Sequence, residues 1–193
     1  ARDLNPLGVN TFLDQEVDRA NVYHSLKMIA GGGFHWVRQG IAWNDIEISA
    51  KGNFTDTREP THPQSSWDKY DFIVDEANKL NLEIIARLDS PPDWARTPCD
   101  VNGLPAGCDD LKKYSKGPPT NYNDYGDFVY AVVSHYKGRL RYFQIWNEPN
   151  LEGEWGGKPI NAADFTRLLK IAYTRAKQAN PDAVIIMPGL APT

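Results

Sequence analysis

A carboxylate, Glu148, stands in the segment FQIWNEPN, directly after a run of residues typical of a buried β-strand. Side chains in a strand alternate between two faces. Positions 142, 144, 146 and 148 would then share one face, and the apolar Phe143 and Ile145 would pack on the other. A carboxylate at the carboxyl end of such a strand, followed by Pro149, is well placed to meet a bound ligand. The alternative is a solvated or helix-capping carboxylate in a loop.

Strand-like and helix-like segments alternate along the whole chain. The predicted strands are residues 7–12, 35–41, 82–88, 140–146 and 183–187. The predicted helices are residues 17–30, 67–80, 122–136 and 162–179. The first helix stops at Gly31-Gly32-Gly33, a strong helix-ending signal. Strict alternation of this kind indicates parallel strands joined by helical crossovers, an α/β fold.

The long connections 43–66, 90–121 and 149–160 all follow strands, whereas those after helices are short. This asymmetry is typical of a (β/α)8 TIM barrel, whose active site is built from the loops after the strands. A doubly wound sheet is the rival architecture. It usually has a glycine-rich first turn, whereas here the first strand runs into NTFLDQEVDRA.

Five strands and four helices make only about half of a barrel, which has eight of each. We therefore expect residues 1–193 to be a single domain, the N-terminal part of a barrel in a longer protein. Parallel strands need their edges covered. The expected partner is the remainder of the barrel, or another chain that covers the two open edges.

Three segments carry a resemblance to glycoside hydrolase clan A, in its β-xylosidase-like and cellulase-like branches. IWNEPNL resembles the Asn-Glu-Pro signature of the clan's fourth strand. VRQGIAWNDIEISAKGNFT resembles the second-strand region, although Ile48 stands where Pro is common. WDKYDFIVDEANKLNLEIIARL is similar to the helix and third strand that follow. The resemblance covers nearly the whole chain.

The resemblance implies a retaining glycoside hydrolase that acts on β-linked oligosaccharides or polysaccharides, without a cofactor. Glu148 would be the general acid/base, and Asn147 would bind the 2-hydroxyl of the sugar. The nucleophile of the clan is a Glu at the end of the seventh strand, which lies beyond the five predicted here. We therefore expect this chain alone to be inactive. The alternative is a non-catalytic half-barrel that serves as a structural or carbohydrate-binding subunit of a larger assembly.

Two further polar residues are site candidates. Arg38 lies near the end of the second predicted strand, and the resemblance implies that it orients the nucleophile. The alternative is a structural ion pair with an acid in the barrel interior. Asp89 ends the third predicted strand on the same face as Arg87, and a carboxylate there can accept hydrogen bonds from sugar hydroxyls. The alternative role for Asp89 is a loop cap.

Trp43, Trp94 and Trp155 fall in the loops that follow the strands. Indole rings in such loops stack on sugar faces or pin their loop to the barrel, and the sequence leaves both roles open. Trp155 is the slightly stronger candidate of the two later ones, because it follows Glu148 closely.

The two cysteines, Cys99 and Cys108, lie in one Gly- and Pro-containing stretch, TPCDVNGLPAGCDD. A local disulfide is the favoured interpretation, and two free thiols the alternative. A disulfide would place the protein outside the cell or otherwise in an exported compartment. The four histidines share no motif, so the sequence predicts no metal site.

The net charge of −4, without a basic stripe, argues against nucleic acid as a partner. No apolar run approaches the roughly 20 residues of a membrane-spanning helix. The partner that the sequence favours is a saccharide.

Overall fold

The computed structural model describes residues 5–96 and 117–192. Its strands are β1 (Gly8–Thr11), β2 (Trp36–Ala42), β3 (Thr55–Asp56), β4 (Gln64–Ser65), β5 (Glu83–Asp89), β6 (Tyr142–Ile145) and β7 (Val184–Ile186). Its α-helices are α1 (Arg19–Gly31), α2 (Trp43–Ile46), α3 (Asp68–Lys79), α4 (Tyr122–His135) and α5 (Ala162–Ala179). Short 3-10 turns occupy Leu13–Gln15 and Asp93–Ala95. The predicted disulfide between Cys99 and Cys108 lies outside the described residues.

Five strands form one parallel sheet in the order β1-β2-β5-β6-β7. The five predicted strands and the four predicted long helices are thus confirmed, with shifts of a few residues at their ends. Within the described part of the chain, β1 and β7 are each paired on one side only. The sequence did not predict the short α2 and the antiparallel β3–β4 pair, which lie in the long connection after β2.

The ends of the helices follow from local side chains. Asp18, Asn121 and Asn161 each accept a hydrogen bond from a backbone N–H of the first turn of α1, α4 and α5, as good N-cap residues do. The predicted glycine stop of α1 is confirmed, because the helix ends at Gly31 and Gly33 adopts a φ of +80°. A left-handed conformation of this kind favours glycine.

The two faces of the sheet differ in burial. Side chains on the helix-facing side are almost fully enclosed, and they include Val37, Ile41, Ile84, Leu88, Phe143 and Ile145. On the opposite side, Trp36, Arg38, Ile85 and Arg87 are only half-buried. The first set belongs to one hydrophobic core with apolar side chains of the helices α1, α3, α4 and α5, and its burial stabilises the packing of the helices on the sheet. The second set, in which two arginines alternate with apolar side chains, forms a more open face toward the barrel interior.

Helices α4 and α5 pack closely where α4 carries a glycine. A Cβ at Gly126 would lie 2.7 Å from Cγ2 of Ile171, so a larger residue would force the helices apart. No helix among the described residues is long and apolar enough to cross a membrane.

Candidate active site

Glu148 lies just beyond the carboxyl end of β6, in a strained turn. Strand β6 ends at Ile145, and both Trp146 and Glu148 have positive φ values, +70° and +29°. The backbone N–H of Leu151 donates to the Glu148 carbonyl over 2.9 Å, which closes the turn. Non-glycine residues in such conformations cost on the order of 1–3 kcal/mol each, and their surroundings must hold them there.

The strand alternation that the sequence predicted through Glu148 is therefore wrong beyond Ile145. Trp146 is 1% exposed, and its ring packs edge-on against Tyr125 of α4 and against Trp155. The physical reason is the left-handed backbone at Trp146, which redirects the chain. The Glu148 side chain is half-buried. No side chain in residues 5–96 and 117–192 is hydrogen-bonded to its carboxylate, so both oxygens are available to a ligand.

Three hydrogen bonds hold the Trp146 conformation. Gln144 Nε2 donates to the Trp146 carbonyl over 2.7 Å, and the Trp146 N–H donates to the Leu88 carbonyl over 3.0 Å. The indole Nε1 of Trp146 donates to the Glu154 carbonyl over 3.0 Å. The turn is thus bonded to its own strand, to the neighbouring strand β5 and to the loop that follows.

Arg38 is the third of the seven residues of β2, so its expected place near the end of that strand is wrong, and it connects three strands across the open face of the sheet. Its Nη1 donates to Asn10 Oδ1 on β1 over 2.7 Å, and its Nε donates to Gln144 Oε1 on β6 over 2.8 Å. Its Nη2 donates to Asn147 Oδ1 over 2.8 Å. The planar guanidinium thus donates to three separate acceptors at once. One of them, Asn147, is the residue next to Glu148, and Arg38 therefore fixes its orientation.

Arg38 also lies among charged groups. Burial and the nearby Arg87 lower the pKa of the Arg38 guanidinium, while Asp89, Glu148 and Glu154 oppose that shift. The acid-pairing alternative predicted a direct ion pair, whereas the hydrogen-bond partners of Arg38 are three neutral amides. The predicted role of Arg38 toward a nucleophile stays a prediction. The sheet of the described residues has five barrel strands, of which β7 is the fifth, and the nucleophile is expected after the seventh.

Asp89 ends β5, faces the barrel interior and is 7% exposed. Its Oδ2 lies 2.8 Å from Arg87 Nε, although that N–H is not aligned for a hydrogen bond. Ser90 Oγ donates to Oδ1 over 3.2 Å. Burial raises the pKa of Asp89, and Arg87 and Ser90 counteract that shift. The sugar-binding role of Asp89 stays a prediction. Its carboxylate already has the Arg87 guanidinium beside it.

The raised pKa of Asp89 gives a pH-dependent prediction. The folded state binds the Asp89 proton more tightly than the unfolded chain, so this group's contribution to stability falls as pH rises above about 4, the ordinary aspartate range. The difference in unfolding free energy between the wild type and Asp89→Asn should therefore decrease with rising pH and then level off above the native pKa. Chemical denaturation at a series of pH values measures it, with the exposed Asp182→Asn as control. A pH-independent difference would contradict the prediction.

The three candidate tryptophans differ in exposure. Trp43 is fully buried, stacks on Phe128 with ring centroids 5.2 Å apart, and donates to Glu47 Oε2 over 2.5 Å. Trp155 is 1% exposed and packs edge-on against Trp146. Neither ring offers a free face to a sugar, so the structure favours the packing interpretation of both.

Trp94 is half-buried, in contrast to the other two candidates. Its Nε1 donates to the Glu47 carbonyl over 2.7 Å, and its ring meets Trp43 edge-on. The sequence ranked Trp155 above Trp94 because of its proximity to Glu148 along the chain. Exposure reverses that order and leaves Trp94 as the stronger candidate for stacking.

Comparisons with known proteins agree with this geometry. No protein-family model matches the chain. A β-xylosidase of Geobacillus stearothermophilus is 27% identical over 169 residues, which are 82% of this chain and 31% of the relative. A family 39 glycoside hydrolase structure from Bacteroides cellulosilyticus WH2 superposes with a TM-score of 0.62 and 21% identity, over 95% of this chain and 32% of that one. The chain is similar to clan A glycoside hydrolases in sequence and fold.

An exo-β-1,4-mannosidase from an Opitutaceae bacterium, strain TAV5, has the same fold, with a TM-score of 0.63 and 18% identity over 93% of this chain and 31% of that one. The chain thus spans about a third of the length of each of these relatives. The five-stranded parallel sheet corresponds to part of a TIM barrel of the kind that these structural neighbours have. Glu148 follows β6, the fourth strand of that barrel sheet.

Three residues with a structural part in the site were not singled out by sequence reasoning. Asn10 and Gln144 hold Arg38, and their signal was a polar residue at an interior position of an otherwise apolar strand. Glu47, 3% exposed, accepts hydrogen bonds from Trp43 and from the Gly52 backbone, and burial raises its pKa. It organises the loop after β2. Among the described residues, no group of three or more His, Cys, Asp and Glu side chains is arranged to hold a metal.

Gly156 lies in the loop after Glu148, where that loop meets the end of the loop after β5. Its φ is +68°, and a Cβ there would lie 2.4 Å from Cα of Gly117. We expect Gly156→Ala to lower the unfolding free energy by about 1–3 kcal/mol, because it adds both backbone strain and a backbone clash. Chemical denaturation measures this. Gly153→Ala is the control, since a Cβ there meets nothing within 4 Å; equal effects would contradict the prediction.

Proposed function

We propose that the protein is a retaining glycoside hydrolase that cleaves β-linked oligosaccharides or polysaccharides, with Glu148 as its general acid/base. The observation that carries the proposal is the position of Glu148. It follows the fourth strand of a clan A barrel sheet, next to an asparagine that Arg38 holds over 2.8 Å. The loops after barrel strands are where TIM-barrel enzymes place their catalytic groups.

In this proposal Glu148 first donates its proton to the glycosidic oxygen, which is otherwise a poor leaving group. A second carboxylate attacks the anomeric carbon from the opposite face, about 5–5.5 Å away from the first in a retaining enzyme. Glu148 then removes a proton from water, and that water releases the sugar. We assign the nucleophile to a Glu at the end of the seventh barrel strand, outside the described residues.

The bonding of Asn147 supports its proposed contact with the sugar. Its Oδ1 accepts the hydrogen bond from Arg38, which fixes the orientation of the amide. The Nδ2 group has no hydrogen-bond partner within residues 5–96 and 117–192, so its donors are available. A fixed amide donor beside the general acid is suited to a hydroxyl next to the bond that breaks.

The relatives suggest where to begin the search for a substrate. The matched curated relative is a β-xylosidase, and one structural neighbour is an exo-β-1,4-mannosidase. We propose β-xylosides first and β-mannosides second, in the order of the sequence identities of these two proteins, 27% and 18%. We also propose an exported location, which the predicted Cys99–Cys108 disulfide would suit.

The test compares the 193-residue chain with a protein that also contains the remaining barrel strands. We expect the completed barrel to hydrolyse an aryl β-glycoside and to release the β-anomer first, as followed by NMR. We expect no hydrolysis by the shorter chain. An α-anomer as first product would overturn the retaining mechanism, and a completed barrel that binds sugar without turnover would favour the non-catalytic subunit instead.

A further inference from the structure

The side chain of Asn150 joins the turn that carries Glu148 to the loop after β7, the next barrel strand. Asn150 Nδ2 donates to the Ala191 carbonyl over 2.9 Å, and the Ala191 N–H donates to Asn150 Oδ1 over 3.0 Å. The side-chain amide of Asn150 thus donates to and accepts from the backbone of the same residue, Ala191, as a residue of a neighbouring β-strand would. Ala191 lies five residues beyond the end of β7.

Asn150 sits inside the turn of Glu148. The hydrogen bond from the Leu151 N–H to the Glu148 carbonyl encloses Pro149 and Asn150 as the two central residues. Since proline fixes its own φ and the Leu151 hydrogen bond closes the turn, few backbone dihedral angles between Asn150 and Glu148 are free to absorb a displacement of Asn150. The Glu148 backbone is in a left-handed conformation that its neighbours must maintain.

The other bonds that hold this region act on different residues. Gln144, Leu88 and Glu154 hold Trp146, and Arg38 holds Asn147. All of these bonds therefore act on Trp146 or Asn147, which precede Glu148 in the chain. Asn150 holds the C-terminal side of the turn, and its partner belongs to the following βα unit.

We infer that Asn150 is a positioning residue for Glu148, and that it couples the loop after β7 to the orientation of the acid/base carboxylate. This inference rests on the proposed function. When the Ala191 segment is in place, the two hydrogen bonds fix the turn and aim Glu148 at the glycosidic oxygen. When they are lost, the turn relaxes away from its left-handed conformation, and proton donation weakens while the nucleophile is untouched.

The experiment uses the protein with its complete barrel and two substrates, one with a poor alkyl leaving group and one with a dinitrophenyl leaving group. A misplaced acid slows only the substrate that needs protonation. We expect Asn150→Ala to lower kcat/KM for the alkyl glycoside about tenfold, part of what a general acid contributes. For the dinitrophenyl glycoside we expect a change of less than about twofold. Hydrogen exchange at the Ala191 amide should become about five- to tenfold faster, as for the loss of one hydrogen bond.

Asn150→Asp provides a readout that simple loss of packing would not give. An ionised carboxylate accepts from the Ala191 N–H but repels the Ala191 carbonyl. A protonated one has the shape of the amide and donates again. The activity of Asn150→Asp relative to wild type should therefore rise as pH falls, whereas that of Asn150→Ala should stay constant. Asn21→Ala, an exposed change on α1, is the control.

Equal losses for both leaving groups, unchanged exchange at Ala191, or a flat pH ratio for Asn150→Asp would overturn the inference. Glu148→Ala, run in parallel, separates it from the proposed function. If Glu148→Ala distinguishes the two leaving groups and Asn150→Ala does not, only the inference fails. If Glu148→Ala does not distinguish them, the proposed function fails, and the positioning role fails with it.

Discussion

Replacement of Glu148 by alanine is expected to lower kcat/KM for a glycoside with a poor leaving group by about 10²- to 10⁴-fold, the usual contribution of a general acid. At 25 °C this corresponds to about 2.7–5.5 kcal/mol of transition-state stabilisation. The loss arises because the glycosidic oxygen must then leave unprotonated. For a dinitrophenyl glycoside the first step should be nearly unaffected, since that phenolate leaves without a proton.

The second step gives an independent signature of the same residue. Without Glu148 no base activates water, so the covalent glycosyl intermediate should accumulate and the reaction should show a burst. Added azide, an anion that needs no base, should raise the rate and yield a β-glycosyl azide. Steady-state and burst kinetics, with NMR of the azide product, measure these effects in the completed barrel.

Glu152→Gln is the matched control, because Glu152 is an exposed carboxylate four residues further along the same loop. It should change neither the leaving-group dependence nor the response to azide. A Glu148→Ala variant that loses activity equally for all leaving groups and ignores azide would assign a structural role to Glu148. The proposed function would then lose its central residue.

Much of the fold could be predicted because its signals are local. The alternation of strand-like and helix-like segments gave five parallel strands, and the glycines after α1 gave the end of that helix. The β3–β4 pair could not be found in this way, since strands of two residues are too short to show a period. The end of β6 was missed for another reason. A tryptophan with positive φ is uncommon, and here hydrogen bonds of Trp146 with the Gln144 side chain and with the carbonyl of the distant Leu88 stabilise that conformation.

The polar part of the site was more predictable than its aromatic part. The resemblance to clan A grouped Arg38, Asn147 and Glu148. Strand positions alone would not have done so, because Arg38 lies in the first half of β2 and β5 separates β2 from β6 in the sheet. The exposure of Trp43 and Trp155 depends on how separate loops and helices fold over them. Phe128, which stacks on Trp43, is distant in sequence and carries no local signal, and Phe165 reaches the edge of Trp155 only because the helix α5 folds back over the loop.

Replacement of Arg38 by lysine is expected to lower kcat/KM by about 100-fold, although the positive charge is kept. Arg38 donates to Asn10, Gln144 and Asn147 from three different nitrogens of one planar group. An ammonium is a compact point charge and cannot span acceptors on β1, β6 and the Glu148 turn at once. Amide oxygens left without a donor cost about 1–3 kcal/mol each when buried, and Gln144 is 5% exposed.

The unpaired amide oxygens should lower the unfolding free energy, and kcat/KM should fall in the variant molecules that remain folded as well, because Arg38 also fixes Asn147. Kinetics of the completed barrel, together with its thermal unfolding, separate the two effects. Arg141→Lys is the matched control: Arg141 is exposed and lies over the ring of Tyr142, where a lysine stem serves nearly as well. If Arg38→Lys keeps its activity within about threefold of Arg141→Lys, the three-way bonding of the guanidinium is not needed. Orientation of Asn147 must then come from the turn itself, because Arg38 Nη2 is the one side-chain donor to its Oδ1 within residues 5–96 and 117–192.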